Sequence, residues 1–357
     1  MKMICQVSFL YLLLNICSAK DVPACFIFGD SLYDVGNNFY LKTLAKPYFP
    51  NGIDFFGNKY GVPSGRYTNG RLELGLKILT PPYLAPTATG DVLLKGINYA
   101  SSGAGIFNSS GQLYGERISL DQQISYFAKT RKEIIAKIGA QAAKELLNNA
   151  IYFVGIGSND MLLNKEKDRS HTPKSVDTLY QPLLSTFTSQ LAKLYSLDAR
   201  KFVVANVPVL GCLPFLRDAS PLIFDGCNPN VNQLIRAFNG KMKIMLEELT
   251  TNLIGSNYIY ANTYAMTEDI VRNYISYGFE IVDEACCHLG GLHGGLIPCV
   301  RGSLVCQDRT KYVYWDAFHY TETAQLIMAK HMMDGGTNYM SPFNVRQLSN
   351  SSFGQRK

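Results

Sequence analysis

The chain has little charge and lacks the features that divide a sequence into several domains. Charged residues make up 17% of its 357 residues and hydrophobic ones 47%, and no repeat, charge run or Pro/Gly/Ser-rich linker interrupts it. We therefore expect a single domain over residues 20–357, with a polar and mobile tail from 342 to 357. The formal net charge of +6 comes from scattered basic residues, which argues against nucleic acid as a partner.

Long apolar runs are also missing. The longest, residues 4–17, is shorter than the ~20 residues that span a bilayer. It follows a positively charged start and precedes small residues at 17–19. This pattern is typical of a secretory signal peptide over residues 1–19. We expect a secreted, extracellular monomer without a stable membrane anchor, located in the cell wall or apoplast if the source is a plant.

Cysteine is more frequent, and seven of the nine cysteines remain once the signal peptide is removed. In an oxidising compartment cysteines pair in disulfides, and an odd number leaves at least one unpaired. We expect that one to be Cys25, which lies in an apolar run. The alternative use of the others is a metal site, but their irregular spacing fits zinc poorly, so we expect disulfides and no metal. The residues of this alternative site are Cys286, Cys287, His288, His293, Cys299 and Cys306.

Short apolar runs of strand type alternate with amphipathic helical stretches along the chain. The runs lie at 25–29, 96–100, 151–155, 202–207 and 258–260, and the helical stretches at 119–137, 142–149, 180–197, 231–249, 263–277 and 321–333. This alternation predicts an α/β fold with a mostly parallel sheet of about five strands, covered by helices on both faces. Residues 33–70 and 278–311 show neither the apolar spacing of a strand nor that of a helix. We interpret the second segment as a disulfide-tied loop.

Small and polar residues follow each of the first three runs. Ser31 follows the first, Gly103 and Gly105 follow the second, and Asn159 follows the third. Because the carboxyl ends of parallel strands meet at one edge of a sheet, these residues are expected to face one site. Ser31 is placed like a nucleophile, although a serine at such a turn is equally typical of a helix N-cap. The glycines let a backbone N–H approach a ligand, and the Asn159 amide is a suitable donor to an oxyanion.

A general base is the remaining requirement of such a site, and the chain has five histidines. His319 stands before the last helical stretch, three residues after Asp316, a spacing that lets the carboxylate orient the imidazole. The alternative for an isolated D-x-x-H is a surface histidine near a helix start. We interpret His171, in a polar loop, and His331, on the last helix, as structural.

Four blocks in this order resemble those of the GDSL/SGNH hydrolases: residues 29–32, the small-residue turn after Asn98, residues 157–160 and residues 316–319. Longer matches at 28–38, 65–71 and 206–214 resemble the plant-type GDSL esterase/lipases, and the resemblance covers essentially the whole mature chain. It implies a flavodoxin-like three-layer α/β/α sandwich and hydrolysis of a small-molecule ester or lipid through an acyl-enzyme. It implies no cofactor.

The resemblance also implies roles for single residues: Ser31 as nucleophile, His319 as general base and Asp316 as its orienting acid. It implies three donors to an oxyanion hole, namely the N–H of Ser31, the N–H of Gly105 or Gly103 (Gly105 preferred), and the side chain of Asn159.

Three features depart from the family pattern. Tyr320 replaces the proline that usually follows the histidine, the stretch between Arg71 and Pro81 is shorter than usual, and Val209 replaces another proline, which we expect to be harmless. The first two leave open a catalytically impaired relative that binds lipid or carbohydrate. A transacylase that builds polyester is a further alternative.

Two kinds of covalent modification are expected. Cys212 and Cys227 are the favoured disulfide, since they bridge a short loop, and the other four cysteines would form two more. Asn108 and Asn350 begin N-glycosylation sequons. The two alternatives at each are a glycosylated and an unmodified asparagine.

Overall fold

A computed structural model describes residues 22–55, 64–70, 80–163, 176–220 and 226–350. The predicted signal peptide and most of the shortened stretch after Arg71 lie outside these ranges. The central sheet has five strands, which are β1 (Cys25–Gly29), β2 (Ile151–Gly155), β3 (Lys201–Ala205), β4 (Asn257–Ala261) and β9 (Met340–Ser341). Four short strands outside it are β5 (Ile281–Ala285), β6 (Cys287–His288), β7 (Leu304–Val305) and β8 (Tyr312–Tyr314).

Strands β1 to β4 pair in parallel in chain order, and β9 pairs antiparallel with β4. An extended segment at 96–100 runs parallel to the other side of β1, where the Tyr99 N–H donates to the Ile27 carbonyl at 2.7 Å. With this segment counted, the parallel strands lie in the order second, first, third, fourth, fifth, which is the order of flavodoxin-like sheets. The predicted α/β fold with a mostly parallel five-stranded sheet is confirmed.

Helices cover both faces of this sheet. The α-helices of the described residues are α1 (Leu120–Ile138), α2 (Ala140–Asn149), α3 (Ser158–Leu163), α4 (Val176–Ser196), α5 (Pro214–Asp218), α6 (Pro229–Asn252), α7 (Thr263–Arg272), α8 (Glu322–Asp334) and α9 (Val345–Asn350). None of the helices in the described ranges is both long and apolar enough to cross a bilayer.

The strands are buried on both sides, and alternate residues enter two separate cores. Phe26 and Phe28 of β1 face a core built with α1, α2, α4 and α6, whereas Cys25 and Ile27 face a core built with Met266 of α7, Met332 of α8 and Leu348 of α9. Because side chains alternate along a strand, each short apolar run serves both layers, which explains its continuous hydrophobicity.

Two expectations about irregular segments are wrong. Residues 278–311 are not a plain loop, since β5 pairs in parallel with β8, and β6 pairs antiparallel with β7. These strands are short, and β5 exposes Asp283 and Glu284, so no hydrophobic period marks it. The expectation of a mobile tail does not hold for residues 342–350, because β9 is followed by α9, which buries Val345 and Leu348 in the second core. Residues 351–357 lie outside the described ranges.

The cysteines form three disulfides, Cys212–Cys227, Cys286–Cys306 and Cys287–Cys299. Cys25 is free and buried, and burial raises the pKa of its thiol to about 12. The pair over the short loop and the unpaired Cys25 are thus as predicted. The four cysteines of the alternative metal site are all paired in disulfides.

Candidate active site

Strands β1 and β2 end side by side, and the site lies at these ends. The chain leaves β1 toward the 96–100 segment on one side and returns to β2 on the other, which opens a crevice between the strand ends. A Cβ on Gly29 would lie 2.5 Å from the Gly155 carbonyl oxygen, so glycine lets the next turn close against β2. The Asp30 N–H donates to that oxygen at 3.3 Å. Ser31 follows directly and faces the crevice.

Three side chains from the two ends of the chain form a continuous hydrogen-bonded row. Ser31 Oγ lies 2.9 Å from Nε2 of His319, and Nδ1 of His319 lies 2.7 Å from Oδ1 of Asp316. His319 is 5% exposed and Asp316 is fully buried. With Nδ1–H donated to the carboxylate, Nε2 is free to accept the serine proton, which is the arrangement of a serine–histidine–acid triad.

The Asp316 carboxylate is satisfied on both oxygens by N–H donors. Oδ1 also accepts the backbone N–H groups of Phe318 at 2.9 Å and His319 at 3.0 Å, and Oδ2 accepts the Cys299 N–H at 3.0 Å. Burial alone disfavours the charged form. The His319 side chain and these donors outweigh it, so the pKa of Asp316 lies below its usual range. Asp316 is therefore ionised at neutral pH.

The Cys299 donor comes from the disulfide-tied segment, which thereby contributes to the site. The Cys287–Cys299 disulfide packs against the fully buried Trp315. Asn51 connects the two, since its Nδ2 donates to the Cys299 carbonyl at 3.1 Å and its Oδ1 accepts the indole N–H of Trp315 at 2.8 Å.

Tyr320 leaves His319 within reach of Ser31. It packs against Tyr314 with 5.4 Å between ring centroids. The next residue, Thr321, is the N-cap of α8, and its hydroxyl oxygen accepts the Ala324 N–H at 3.3 Å. A capping threonine thus starts the helix one residue after Tyr320, the position at which the family pattern has proline.

Asn159 and Gly103 of the glycine turn line the same cavity as Ser31 and His319. Asn159, at the start of α3, lines the cavity, and its Nδ2 donates to the Ala104 carbonyl at 2.8 Å. Gly103 also lines the cavity with a positive φ of 81°, whereas Gly105 does not line it. A Cβ on Gly105 would lie 2.6 Å from Oδ2 of Asp160, so this glycine is required by packing behind the cavity.

Asp160 anchors the second block to α3. It accepts the N–H groups of Ile106 at 2.8 Å and Phe107 at 3.1 Å, and the Ser110 hydroxyl at 2.6 Å. Ser110 belongs to the Asn108 sequon, whose asparagine is exposed.

Two further buried carboxyls lie behind the serine. Asp30 accepts the Leu32 N–H at 3.1 Å through Oδ1, while its Oδ2 has no hydrogen-bond partner. Burial raises the pKa of Asp30 to about 7. Asp34 accepts N–H groups on both oxygens, from Gly36, Asn37 and Ser102, and burial raises its pKa to about 6. These acids hold the turns that carry the site residues.

A cavity of about 510 Å³ opens beside the serine. Its walls are mostly aliphatic and aromatic side chains, and among the described residues that line it only Lys46 carries a permanent charge. At the rim, Leu44 is 79% exposed, Leu113 62% and Leu296 59%. A volume and lining of this kind suit an apolar ligand of small-molecule size.

The other histidines in the described part of the chain do not line the cavity. His331 contacts Tyr339, with ring centroids 4.3 Å apart, and Tyr277, in keeping with a structural role. His171 lies outside the described residues. Within those residues, no three His, Cys, Asp or Glu side chains gather in a way that could hold a metal ion.

Sequence reasoning missed Tyr67 as a site residue. Its ring stacks on the His319 imidazole and lines the cavity. Tyr67 lies in the motif at 65–71. In the sequence this motif indicated only the family and gave no role to any of its residues.

Comparison with known proteins decides the family. The family model described as GDSL-like lipase/acylhydrolase matches residues 25–332. The chain belongs to this GDSL family. Among its relatives, one GDSL esterase/lipase of Arabidopsis thaliana is 45% identical, covering 97% of each chain. Another from the same plant is 39% identical over 94% of each chain, and a third is 40% identical over 91% of this chain and 87% of its own. The predicted GDSL family and ester-hydrolase class are confirmed.

Proposed function

We propose that this protein is a serine hydrolase that cleaves carboxylic esters with an apolar acyl group, with Ser31 as the nucleophile. The supporting observation is the row from Ser31 through His319 to Asp316, with contacts of 2.9 and 2.7 Å. Each group lies within hydrogen-bond reach of the next, which is the requirement for an activated serine.

The proposed reaction runs in two halves. His319 takes the Ser31 proton on Nε2 as Oγ attacks the ester carbonyl, and it then protonates the departing alcohol. In the second half His319 activates a water that hydrolyses the acyl-enzyme. We assign the oxyanion to the N–H of Ser31, the N–H of Gly103 and the Asn159 amide. We prefer Gly103 to Gly105 because only Gly103 lines the cavity.

The cavity supports an apolar acyl group as the part of the substrate that is recognised. Leu162, Leu210 and Phe215 line its interior, and burying each methylene of an acyl chain there is worth about 0.8 kcal/mol. The expected signature is a rise in kcat/KM with acyl length across p-nitrophenyl esters. Lys46 at the wall favours neutral or anionic esters over cationic ones.

We also propose that the protein is secreted. The residue pattern at 1–19 and the three disulfides both fit an oxidising destination.

A fluorophosphonate probe tests the catalytic proposal, since it labels only activated serines. The wild-type protein should be labelled and Ser31→Ala should not, while Ser158→Ala, which removes a different serine of the same cavity, should still be labelled. An unlabelled wild type would support an impaired, ligand-binding relative instead. Product analysis with an alcohol acceptor distinguishes hydrolysis from acyl transfer.

A further inference from the structure

The ring of Tyr67 covers one face of the His319 imidazole. The two ring centroids are 4.8 Å apart and the planes are 28° from parallel. In its own plane the imidazole is held by Asp316 on one nitrogen and Ser31 on the other. Those contacts leave tilting and rotation out of the plane unopposed, and these are the motions that a stacked ring restricts.

Tyr67 is well fixed for this task. It is 5% exposed, and backbone bonds hold its neighbours, since the Thr68 carbonyl accepts the Gly52 N–H and the Asn69 carbonyl accepts the Asp54 N–H, both at 2.7 Å. The Asn69 side chain also accepts the Glu322 N–H at 2.8 Å. The segment is therefore docked on the first turn of α8, close to His319 itself.

The ring rather than the hydroxyl makes this contact. The Tyr67 hydroxyl is buried with Ser102 as its polar neighbour, and it makes no contact with His319 of hydrogen-bond geometry. Because the hydroxyl is next to Ser102 and not bonded to His319, phenylalanine should position the base equally well.

We propose that Tyr67 is a positioning residue for the general base, and that its π face stabilises the imidazolium formed when His319 accepts the Ser31 proton. The inference rests on the proposed hydrolase function. A buried cation over an aromatic face gains about 1–2 kcal/mol, which corresponds to roughly 5- to 30-fold in rate. Among the described residues, the other groups that act on the charge of His319 are Asp316 and the buried Asp30, and both are kept when Tyr67 is replaced.

The test compares Tyr67→Phe with Tyr67→Leu, which removes the π face but keeps an apolar side chain beside the imidazole. Hydrolysis of p-nitrophenyl butyrate is followed from pH 4.5 to 9. Tyr67→Phe should stay within about twofold of wild type at every pH. Tyr67→Leu should lose about tenfold in kcat, and the acid limb of its kcat/KM profile should move about one pH unit lower, since its imidazolium is less stable. If Tyr67→Leu fails to fold, Tyr67→Met is the second ringless variant.

Three outcomes would overturn the proposal: a ringless variant with wild-type kcat, one that loses activity while its acid limb stays in place, or a Tyr67→Phe protein as impaired as the ringless one. The second outcome would indicate a merely structural residue. Failure of the hydrolase proposal itself is distinguishable, because the wild-type protein would then show no Ser31-dependent turnover.

Discussion

Removing the Cys287–Cys299 disulfide should weaken Asp316, the proposed catalytic acid, as well as the fold. The loop that it closes has a sequence separation of 12, for which loop-closure entropy gives about 3 kcal/mol of stability. Cys299 is also a direct partner of the acid, since its N–H donates to Oδ2 of Asp316 at 3.0 Å. A hydrogen bond to a charged group contributes about 1.5–3 kcal/mol. If the freed segment no longer holds this donor in place, kcat should fall by roughly 10- to 150-fold.

The matched control is the Cys212–Cys227 disulfide. Its sequence separation is 15, so loop-closure entropy again gives about 3 kcal/mol, but neither cysteine contacts Asp316. We expect both Cys-to-Ala double variants to show a similar drop in free energy of unfolding in urea. Only the Cys287→Ala/Cys299→Ala protein should also lose kcat on p-nitrophenyl butyrate, assayed at a temperature where both variants are folded. Equal kcat values for the two double variants would refute the reasoning.

Two further predictions concern single side chains. Asn159→Ala should lower kcat by about 10²–10³-fold with little change in KM, because an oxyanion donor acts mainly in the transition state; an unchanged kcat in steady-state assays would remove Asn159 from the oxyanion hole. For Asp30, whose pKa is raised to about 7, the folded state keeps a proton that the unfolded state releases near pH 4, so this group makes wild-type stability fall as pH rises from about 4 to 7. Relative to Asp30→Asn, wild type should lose up to ~4 kcal/mol over this range in urea unfolding; parallel stability curves for the two proteins would contradict this.

The parts of the fold that local sequence determines were predictable. β1 to β4 are continuous apolar runs because both of their faces are buried, and such runs stand out between amphipathic helices. The contact between Asp316 and His319 was also predictable, because a spacing of three residues in a tight turn brings the carboxylate and the imidazole together. Ser31 was placed by its strand end alone, and its partnership with His319 came from the order of the blocks.

What sequence reasoning missed depends on contacts between distant residues. β5 pairs with β8 across an intervening segment, and its exposed acids hide any strand period. α9 is short and mainly polar, and only the two residues that it buries against the sheet, Val345 and Leu348, explain its place. The sequence could not separate Gly103 from Gly105, because only the fold places Asp160 beside Gly105 and Gly103 at the cavity wall. The contacts of Tyr67 with His319 and of Cys299 with Asp316 have no local signature at all.

The division of the site along the chain has a consequence for how members of such a family can diverge. Ser31 and His319 are separated by 288 residues, and β4, the last of the four named parallel strands, ends at Ala261. The proposed nucleophile, the glycine turn and Asn159 therefore belong to the part of the chain that builds the parallel sheet, whereas the proposed base and acid belong to the part that follows it. Substitutions in the later part can silence the chemistry while the sheet and much of the cavity wall persist. In an ester-cleaving enzyme of this design, changes confined to one short segment would leave a protein that binds its ligand without cleaving it.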